Sequence, residues 1–526
     1  MNYNNFFSIG KIFAKQQSYI NIFNVIKSEG PLYFTLLWVA YQSYLKSKDY
    51  IMKNTFKLIR QIPLVNNEIE KIKDTMNNTF EKCQSKILTL PSHGMTSDNI
   101  FEIINKLPKS KHDWKKGLIS GTVYDANFDL TELVNKVINM FQWTNPLHAD
   151  LFPQIREMEA SIVSFCLDLY NGDDNACGTV TTGGTESIIL ACKAHRDYYK
   201  KHRNISSPEI IAPLSVHVAF DKACHYLGIK LIKVPVYEDG LPKIEDFVDY
   251  INNNTIMMVG SAPSFPHGVI DPIKELSELA IKNDIGLHMD ACLGGFVLPF
   301  MKDNIYNFNL KGITSISIDT HKYGYGPKGG SVILYNTKEL VHSQYNVATD
   351  WPGGIYVSPS IPGSRNGSII AGTWAAMLFN GKLGYTTKIM EIFKLRDQIL
   401  EDLKEIPEIE VIGDPKTTVI ALKTNNNANT IYLLYQYLTD QGWSLNSLQF
   451  PPSFHLCLTS IHCQQSEDLG KLFIQKIKDG IQHIKDNPNI KASGMASIYG
   501  TSQSIPDRSI VEELSYHYQD LYYKLT

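Results

Sequence analysis

The stretch Ser315–Tyr335, SISIDTHKYGYGPKGGSVILY, decides how the rest of the chain reads. It opens as a β-run, Ser315–Ile318, turns through Asp319-Thr320-His321-Lys322, and returns as a second β-run, Ser331–Tyr335. Gly324, Gly326, Gly329 and Gly330 loosen the return. A lysine on a strand-end turn, beside a histidine and among glycines, suits an amine that reaches a flat cofactor and forms a Schiff base. The glycines would let the ring and its substrate approach the backbone closely. Taken alone, the pattern also describes the solvated end of a hairpin, so the surrounding chain has to choose between the two.

Outward from that stretch, short β-runs alternate with helical segments: Ile210–Leu214, Lys230–Val236, Thr255–Gly260 and Ile285–Asp290, then the two runs above. Alternation on this scale predicts an α/β fold whose mainly parallel sheet is covered on both faces. Upstream, Asp129–Trp143 has apolar residues at helical spacing, the loop TNPLHADLFP follows, and Ile155–Tyr170 fits a long helix. After about Thr373 longer helices mix with a few strands, Thr418–Leu422 and His455–Leu458 among them, which reads as a smaller C-terminal α+β domain. The chain is accordingly divided into 1–90, an N-terminal membrane-anchor and helical region; 91–155, a segment contributing to the active site; 156–372, the large cofactor domain; and 373–526, the small domain.

A chain of 526 residues with 43% apolar and 20% charged content is an ordinary multidomain globular protein, and a net charge of −3 leaves no electrostatic footprint for nucleic acid. The 8 cysteines lack CxxC spacing and read as free thiols of a reducing compartment, so neither a disulfide frame nor a metal site is expected. Gly30–Leu45, GPLYFTLLWVAYQSYL, carries no charge and is followed by Lys46, Lys48, Lys53, Lys57 and Arg60. It is shorter than the roughly 20 residues a spanning helix prefers, so a span and a helix lying on a surface both fit it. If it spans, the basic residues place the bulk of the chain in the cytosol. No small-residue cleavage site follows it, so no removable signal peptide is expected.

Three features converge on one chemistry. Gly178–Leu190, GTVTTGGTESIIL, runs from a β-like stretch through Gly183-Gly184-Thr185 into an apolar helix, an anion site for a phosphate or a plain N-capped turn. Asp290 ends the run IGLHMD, where open α/β sheets bind ligands. It could keep a pyridine nitrogen protonated or simply cap a helix. His217, after IIAPLS, could stack on a flat ring or serve the structure alone. A phosphate cradle, an acid for a ring nitrogen and an amine for an aldehyde, in that order at strand ends of one region, are the three handles of pyridoxal 5'-phosphate. That is the cofactor expected.

TTGGTES, PLSVHVAFDKA, GSAPSFPHGVIDPI, HMDACLGGF and SIDTHKYGYGPKGG resemble the sphingosine-1-phosphate lyase family, among the fold-type I pyridoxal-phosphate enzymes related to group II decarboxylases. GLISGTVY, NPLHADLFP, DWPGGIYVSPSIPGSR, GWSLNSLQFPPSFH and GMASIYG extend the likeness from about Lys116 to the C-terminus. THKYG has its HK core in common with decarboxylases, whereas THKYGYGPKG together with GSAPSFPHG and QFPPS is highly specific to the lyases. The resemblance implies Lys322 as the Schiff-base lysine, Asp290 as the ring-nitrogen partner, His217 on the ring, and Gly184, Thr185 and His321 on the cofactor phosphate. It further implies Tyr124, Asn145, His148 and Lys328 for the substrate phosphate or the reacting groups, and Tyr356 at the site. Gly363–Ser368, GSRNGS, corresponds to a loop reaching a partner subunit's cofactor, which implies a homodimer. Gly326 and Asn366 depart from the family's usual alanine and proline, and neither removes a functional group.

The activity implied is retro-aldol cleavage of a phosphorylated sphingoid base to a fatty aldehyde and phosphoethanolamine, with Lys322 as acid–base candidate and Tyr356 or a phosphate group as alternatives. The implied setting is the endoplasmic reticulum membrane, spanned once at Gly30–Leu45, with the catalytic part cytosolic. Two rivals stand beside it. An amino-acid decarboxylase of the same fold would want a guanidinium for a carboxylate, and Arg365 keeps it open. A catalytically inert, membrane-tethered scaffold is opposed by the intact Lys322, Asp290 and Gly-Gly-Thr.

Overall fold

Short runs of aliphatic residues buried on both faces build the central sheet, as expected for parallel strands covered by helices. The computed structural model describes residues 63–80, 89–110, 112–425, 428–465, 468–490 and 508–523, and the Gly30–Leu45 run lies outside them. Among the described residues no helix is long and apolar enough to cross a membrane. The chain separates into two compact units, one of Met1–Pro108 with Ser504–Thr526 and one of Lys109–Gln503.

In the first unit, helices α1 (Pro63–Phe80) and α2 (Ser97–Lys106) are described together with a C-terminal helix, Arg508–Tyr523. Ile69, Ile510 and Leu514 form a small apolar cluster, and Lys73 lies 2.9 Å from both Glu70 and Glu513.

The second unit begins with α3 (Phe128–Met140), capped by the Asn127 side chain, which accepts from the Leu130 amide at 2.8 Å. Next comes α4 (Pro153–Leu169), started by a proline whose missing N–H costs nothing there. The main sheet consists of β1 (Cys177–Thr181), β2 (Glu209–Pro213), β3 (Lys230–Val234), β4 (Thr255–Ser261), β5 (Gly286–Ala291), β6 (Ser315–Ile318) and β7 (Ser331–Tyr335). Helices α5 (Gly184–Arg203), α6 (Ala219–Leu227) and α7 (Ile273–Asn283) connect them. The strand order is β1-β7-β6-β5-β4-β2-β3, and β7 alone runs against its neighbours. Strand β4 is buried at every position, its Ile256, Met257, Met258 and Val259 each contributing about 1.5–3 kcal/mol of apolar burial. The outer strand β3 is different: Lys230 and Lys233 point out and pair with Glu209 at 2.8 Å and Asp221 at 2.6 Å.

The sheet expected from the sequence is present, with β6 and β7 on the residues read as β-runs and paired from Ser315↔Tyr335 to Ile318↔Val332. A small hairpin follows, β8 (Asn346–Ala348) with β9 (Tyr356–Ser358), and then α8 (Gly367–Leu403), broken at Gly381, whose φ of 56° is left-handed. Beyond it lies an antiparallel sheet of β10 (Ile409–Val411), β11 (Val419–Thr424), β12 (Asn446–Leu448) and β13 (Ser453–Cys457) in the order β10-β11-β13-β12. This is the α+β region expected after Thr373.

Candidate active site

The C-terminal ends of β1, β2, β5 and β6 lie on one edge of the sheet, because the four strands run the same way. Side chains carried just beyond those ends therefore meet. A cleft of about 370 Å³ opens there, lined by Gly184, Thr185, His217, Cys292, His321 and Lys322 together with Asp319. That volume falls in the range of small-molecule sites.

Gly183-Gly184 leads into α5, so the first amides of a 20-residue helix face the cleft. A methyl group on Gly184 would lie 2.7 and 2.8 Å from the Asp319 carboxylate oxygens and 2.8 Å from Cys292 Sγ, so only glycine fits this turn. Glu186 braces the turn from behind. Its carboxylate accepts from the Thr182 amide at 2.7 Å and hydroxyl at 2.6 Å, and its other oxygen accepts from the Ile361 amide at 2.8 Å.

Lys322 stands on the turn after β6 with Nζ 3.0 Å from Asp319 Oδ2. Burial opposes its charge, but Asp319, helped by Cys292 and Tyr124, outweighs burial and holds the amine above its ordinary value. The second oxygen of Asp319 is buried without a hydrogen-bond partner. His321 Nε2 is 3.7 Å from the same carboxylate, and Nδ1 meets the Gly330 carbonyl, so Nδ1 carries the proton and donates. Burial lowers His321, although Asp319 opposes it. His217 Nδ1 accepts from the Ala219 amide at 3.1 Å, which leaves the proton on Nε2.

Asp290 is the penultimate residue of β5, two before Cys292 in the wall of the cleft. Its Oδ1 accepts from the Cys292 amide at 3.0 Å and from Ser317 Oγ at 3.2 Å. Ser317 is opposite Asp290 in the β5–β6 register, so strand pairing itself delivers the hydroxyl. His288, wholly buried, bridges Ser315 at 2.8 Å and Ser317 at 3.1 Å, and burial pushes it down to about 3, which keeps it neutral. The carboxylate is thus fixed in direction by groups that do not compete for its charge.

The residues expected to meet substrate are less gathered. Lys328 Nζ lies 4.7 Å above the Tyr124 ring and donates to the His321 carbonyl at 3.1 Å, so this pair flanks the lysine turn. Burial, then Lys322, lowers the Lys328 amine, and burial raises the Tyr124 hydroxyl. Asn145 is engaged elsewhere: its oxygen accepts from the Leu147 and Arg365 amides at 3.1 and 3.2 Å, and its nitrogen donates to Ser364 at 3.1 Å. His148 is exposed on the same turn. Tyr356 sits on β9 against Trp351, with ring centroids 6.2 Å apart. In a single chain, Asn145, His148 and Tyr356 do not line the cleft. Arg365 forms a two-pronged pair with Glu159, NH2 to Oε2 at 3.0 Å, so its guanidinium is committed inward.

Asp319 and Glu186 were not singled out from the sequence. The signals were there, an acid three residues before the lysine and another four after Thr182, but only the folded turn shows both carboxylates pointing inward.

These groups fit pyridoxal phosphate: a charged amine, a helix N-terminus that a methyl would obstruct and an imidazole ring line a cleft of suitable size, and a braced acid lies two residues before Cys292 in its wall. Residues 61–425 match the family model for the pyridoxal-dependent decarboxylase conserved domain. Sphingosine-1-phosphate lyase 1 of Mus musculus is 42% identical over 484 residues, covering 90% of this chain and 84% of that protein. The sphingosine-1-phosphate lyase of Saccharomyces cerevisiae is 36% identical over 530 residues, covering 96% and 87%. The solved structure of a sphingosine-1-phosphate lyase from Burkholderia pseudomallei superposes with a TM-score of 0.75 at 32% identity, over 84% of this chain and 98% of that one. A glutamate decarboxylase from Lactobacillus brevis has the same fold, with a TM-score of 0.67 at 20% identity over 78% of this chain and 98% of that one. With identity this high across nearly the whole length of such proteins, the chain belongs to the pyridoxal-dependent decarboxylase family and, within it, to the sphingosine-1-phosphate lyases.

Proposed function

We propose that the chain cleaves the carbon–carbon bond of phosphorylated sphingoid bases, releasing a fatty aldehyde and phosphoethanolamine. The observation that carries the reading is the arrangement of cations beside Lys322. Lys328, held over Tyr124 at 4.7 Å, is a point charge suited to a phosphate, whereas Arg365, the guanidinium a carboxylate substrate would want, is closed off by Glu159.

Pyridoxal phosphate, when bound, supplies the electron sink for the bond that breaks. Gly184, Thr185 and His321 would hold its phosphate, His217 its ring, Asp290 its ring nitrogen and Lys322 its aldehyde carbon. Asp319 steadies the Lys322 amine 3.0 Å away whenever that amine is free, and so keeps a proton at Nζ ready for return to carbon. The Tyr356 hydroxyl is the alternative acid or base, and Tyr124, Asn145, His148 and Lys328 serve the substrate phosphate or the reacting groups. Because Asn145, His148 and Tyr356 stand off from the cleft in one chain, a homodimer in which Gly363–Ser368 approaches the other subunit's site would complete it.

Residues 156–372 then form the cofactor domain and 373–526 the small domain, with 1–90 as the anchor region and 91–155 contributing to the site. Gly30–Leu45 would hold the enzyme in the endoplasmic reticulum membrane, with the catalytic part facing the cytosol. The test is an absorbance spectrum of the holoenzyme, with aldehyde and phosphoethanolamine assayed after adding a phosphorylated sphingoid base. Both products, lost in Lys322→Ala along with the visible band, support the lyase. Carbon dioxide from an amino acid without aldehyde would move the chain to the decarboxylases, and no band at all would leave the scaffold.

A further inference from the structure

One buried acid ties the start of α5 to a loop far along the chain. Glu186 is 7% exposed and stands third in the helix, after Gly184 and Thr185. A glutamate at that position commonly reaches back to the residues that start the helix, and one oxygen is enough for that. Here Oε2 does so, accepting from the Thr182 amide at 2.7 Å and the Thr182 hydroxyl at 2.6 Å. The other oxygen, Oε1, leaves the helix and accepts from the Ile361 amide at 2.8 Å. All three partners are uncharged donors, and two are backbone amides that cannot turn away. Only an acceptor at both oxygens satisfies them, so a glutamine would set its own N–H against a backbone N–H at one end or the other.

Ile361 belongs to the loop between β9 and α8, which is held by its backbone and not by its side chains. The Ile361 side chain is 59% exposed, whereas Ser358 and Ser360 are buried and donate to the carbonyls of Ser360 and Pro362 at 2.9 and 3.2 Å. Gln344, also buried, donates to the Pro359 carbonyl and, at 2.9 Å, to Thr179 Oγ1 on β1. The Tyr356 hydroxyl rests against the same loop, since a methyl group on Gly363 would lie 2.8 Å from it. The far end of the loop, Ser364 and Arg365, is held separately by Asn145. Glu186 thus joins the turn expected to take the cofactor phosphate to the loop on which Tyr356 lies.

We propose that Glu186 is a positioning residue that couples occupancy of the phosphate turn to the placement of the 356–363 loop. An anion bound at the start of α5 holds the backbone from which Glu186 projects, and the Oε1 bond passes that order on to Ile361. Such linkage is reciprocal, so a loop released from Glu186 weakens cofactor binding in turn. The assignment rests on the reading of this cleft as the pyridoxal phosphate site, and it gives Glu186 no part in the bond-breaking step itself.

The experiment is hydrogen exchange of the full-length protein with and without pyridoxal phosphate, followed at the amides of Ser360, Ile361 and Gly363. In wild type the cofactor should slow exchange there by roughly tenfold or more. In Glu186→Gln, saturated with cofactor as judged by absorbance, the slowing should fall below about twofold. That variant should also bind cofactor roughly tenfold more weakly and lose roughly tenfold in kcat with KM little changed. Ile361→Pro, on the exposed loop, deletes the donor and leaves the carboxylate in place. It should lose the same slowing at Ser360 and Gly363, and it carries the test if Glu186→Gln does not fold. A loop that answers the cofactor as in wild type in either variant overturns the coupling and leaves Glu186 a helix cap. A wild-type loop indifferent to bound cofactor overturns it as well, while the cleft reading stands. Protein that takes up no cofactor overturns the cleft reading, and the coupling with it.

Discussion

The lysine turn and the loops that flank it are built on opposite principles. Around Lys322 each polar group is placed by the sheet: Asp319 and Lys322 by the turn after β6, Ser317 and Asp290 by register, His288 by burial between two serines. The loops at 141–152 and 346–366 instead carry Trp143 at 90% exposure and Ile355 at 78%, and are held to each other by Asn145, Ser364 and Arg365. The difference teaches that the sheet alone fixes the lysine turn, while these loops are held by one another and stay largely exposed.

The comparison breaks most visibly at Lys322. Lys322→Ala should remove turnover by at least about 10³-fold while the fold, read by circular dichroism, is kept. Retained turnover would mean that the turn is not the chemical centre. Asp319→Asn comes next. Removing the partner leaves a buried ammonium unpaired, so the cofactor-free protein should lose about 3 kcal/mol in a urea titration, and turnover should fall roughly 10²-fold. An unchanged urea midpoint would show that the pair is ornamental to stability.

The buried histidines give a pH test of the rigid half. His195, His267, His455 and His462 are lowered to about 4, and His288 to about 3, all chiefly by burial. Each is neutral when folded and binds a proton more readily when unfolded. The stability it contributes is therefore present above about 6.5 and falls as pH drops toward its folded value, by roughly 1.4 kcal/mol per pH unit each. Asp271, raised to about 7 by burial, acts in the other sense, its contribution being lost as pH rises toward 7. The net expectation is a urea midpoint that drops steeply between neutral pH and about 5, less steeply by one proton in His288→Gln. A flat profile would count against a pre-formed edge.

The smallest effect belongs to the loops. Asn145→Ala loses bonds worth about 1 kcal/mol, so cofactor absorbance should stay as in wild type and KM should rise only a few-fold. A lost absorbance band would show that the loops support the cofactor after all.

Much of the rigid half could be read from the sequence because it rests on local patterns. The β-runs at Ser315–Ile318 and Ser331–Tyr335 and the Gly-Gly-Thr turn into α5 lie where spacing placed them. What could not be read depends on direction or on distant partners. Nothing in DTHK says that Asp319 folds back onto Lys322, and no local signal joins Glu186 to the Ile361 amide 175 residues on. The pairing of Ser317 with Asp290 needs the strand register, which is a property of the sheet and not of either strand. Likewise Arg365 looked available for a carboxylate until Glu159, far upstream, was seen to hold it.

The lysines on β3 have a consequence for assembly. An outer strand offers unpaired backbone groups, and a bare one recruits the same strand from another molecule. Here Lys230 and Lys233 stand along that rim with acids beside them, so a like strand would meet positive charge against positive charge. Growth of a common ribbon through β3 is therefore disfavoured, and the only other rim of this sheet is β1.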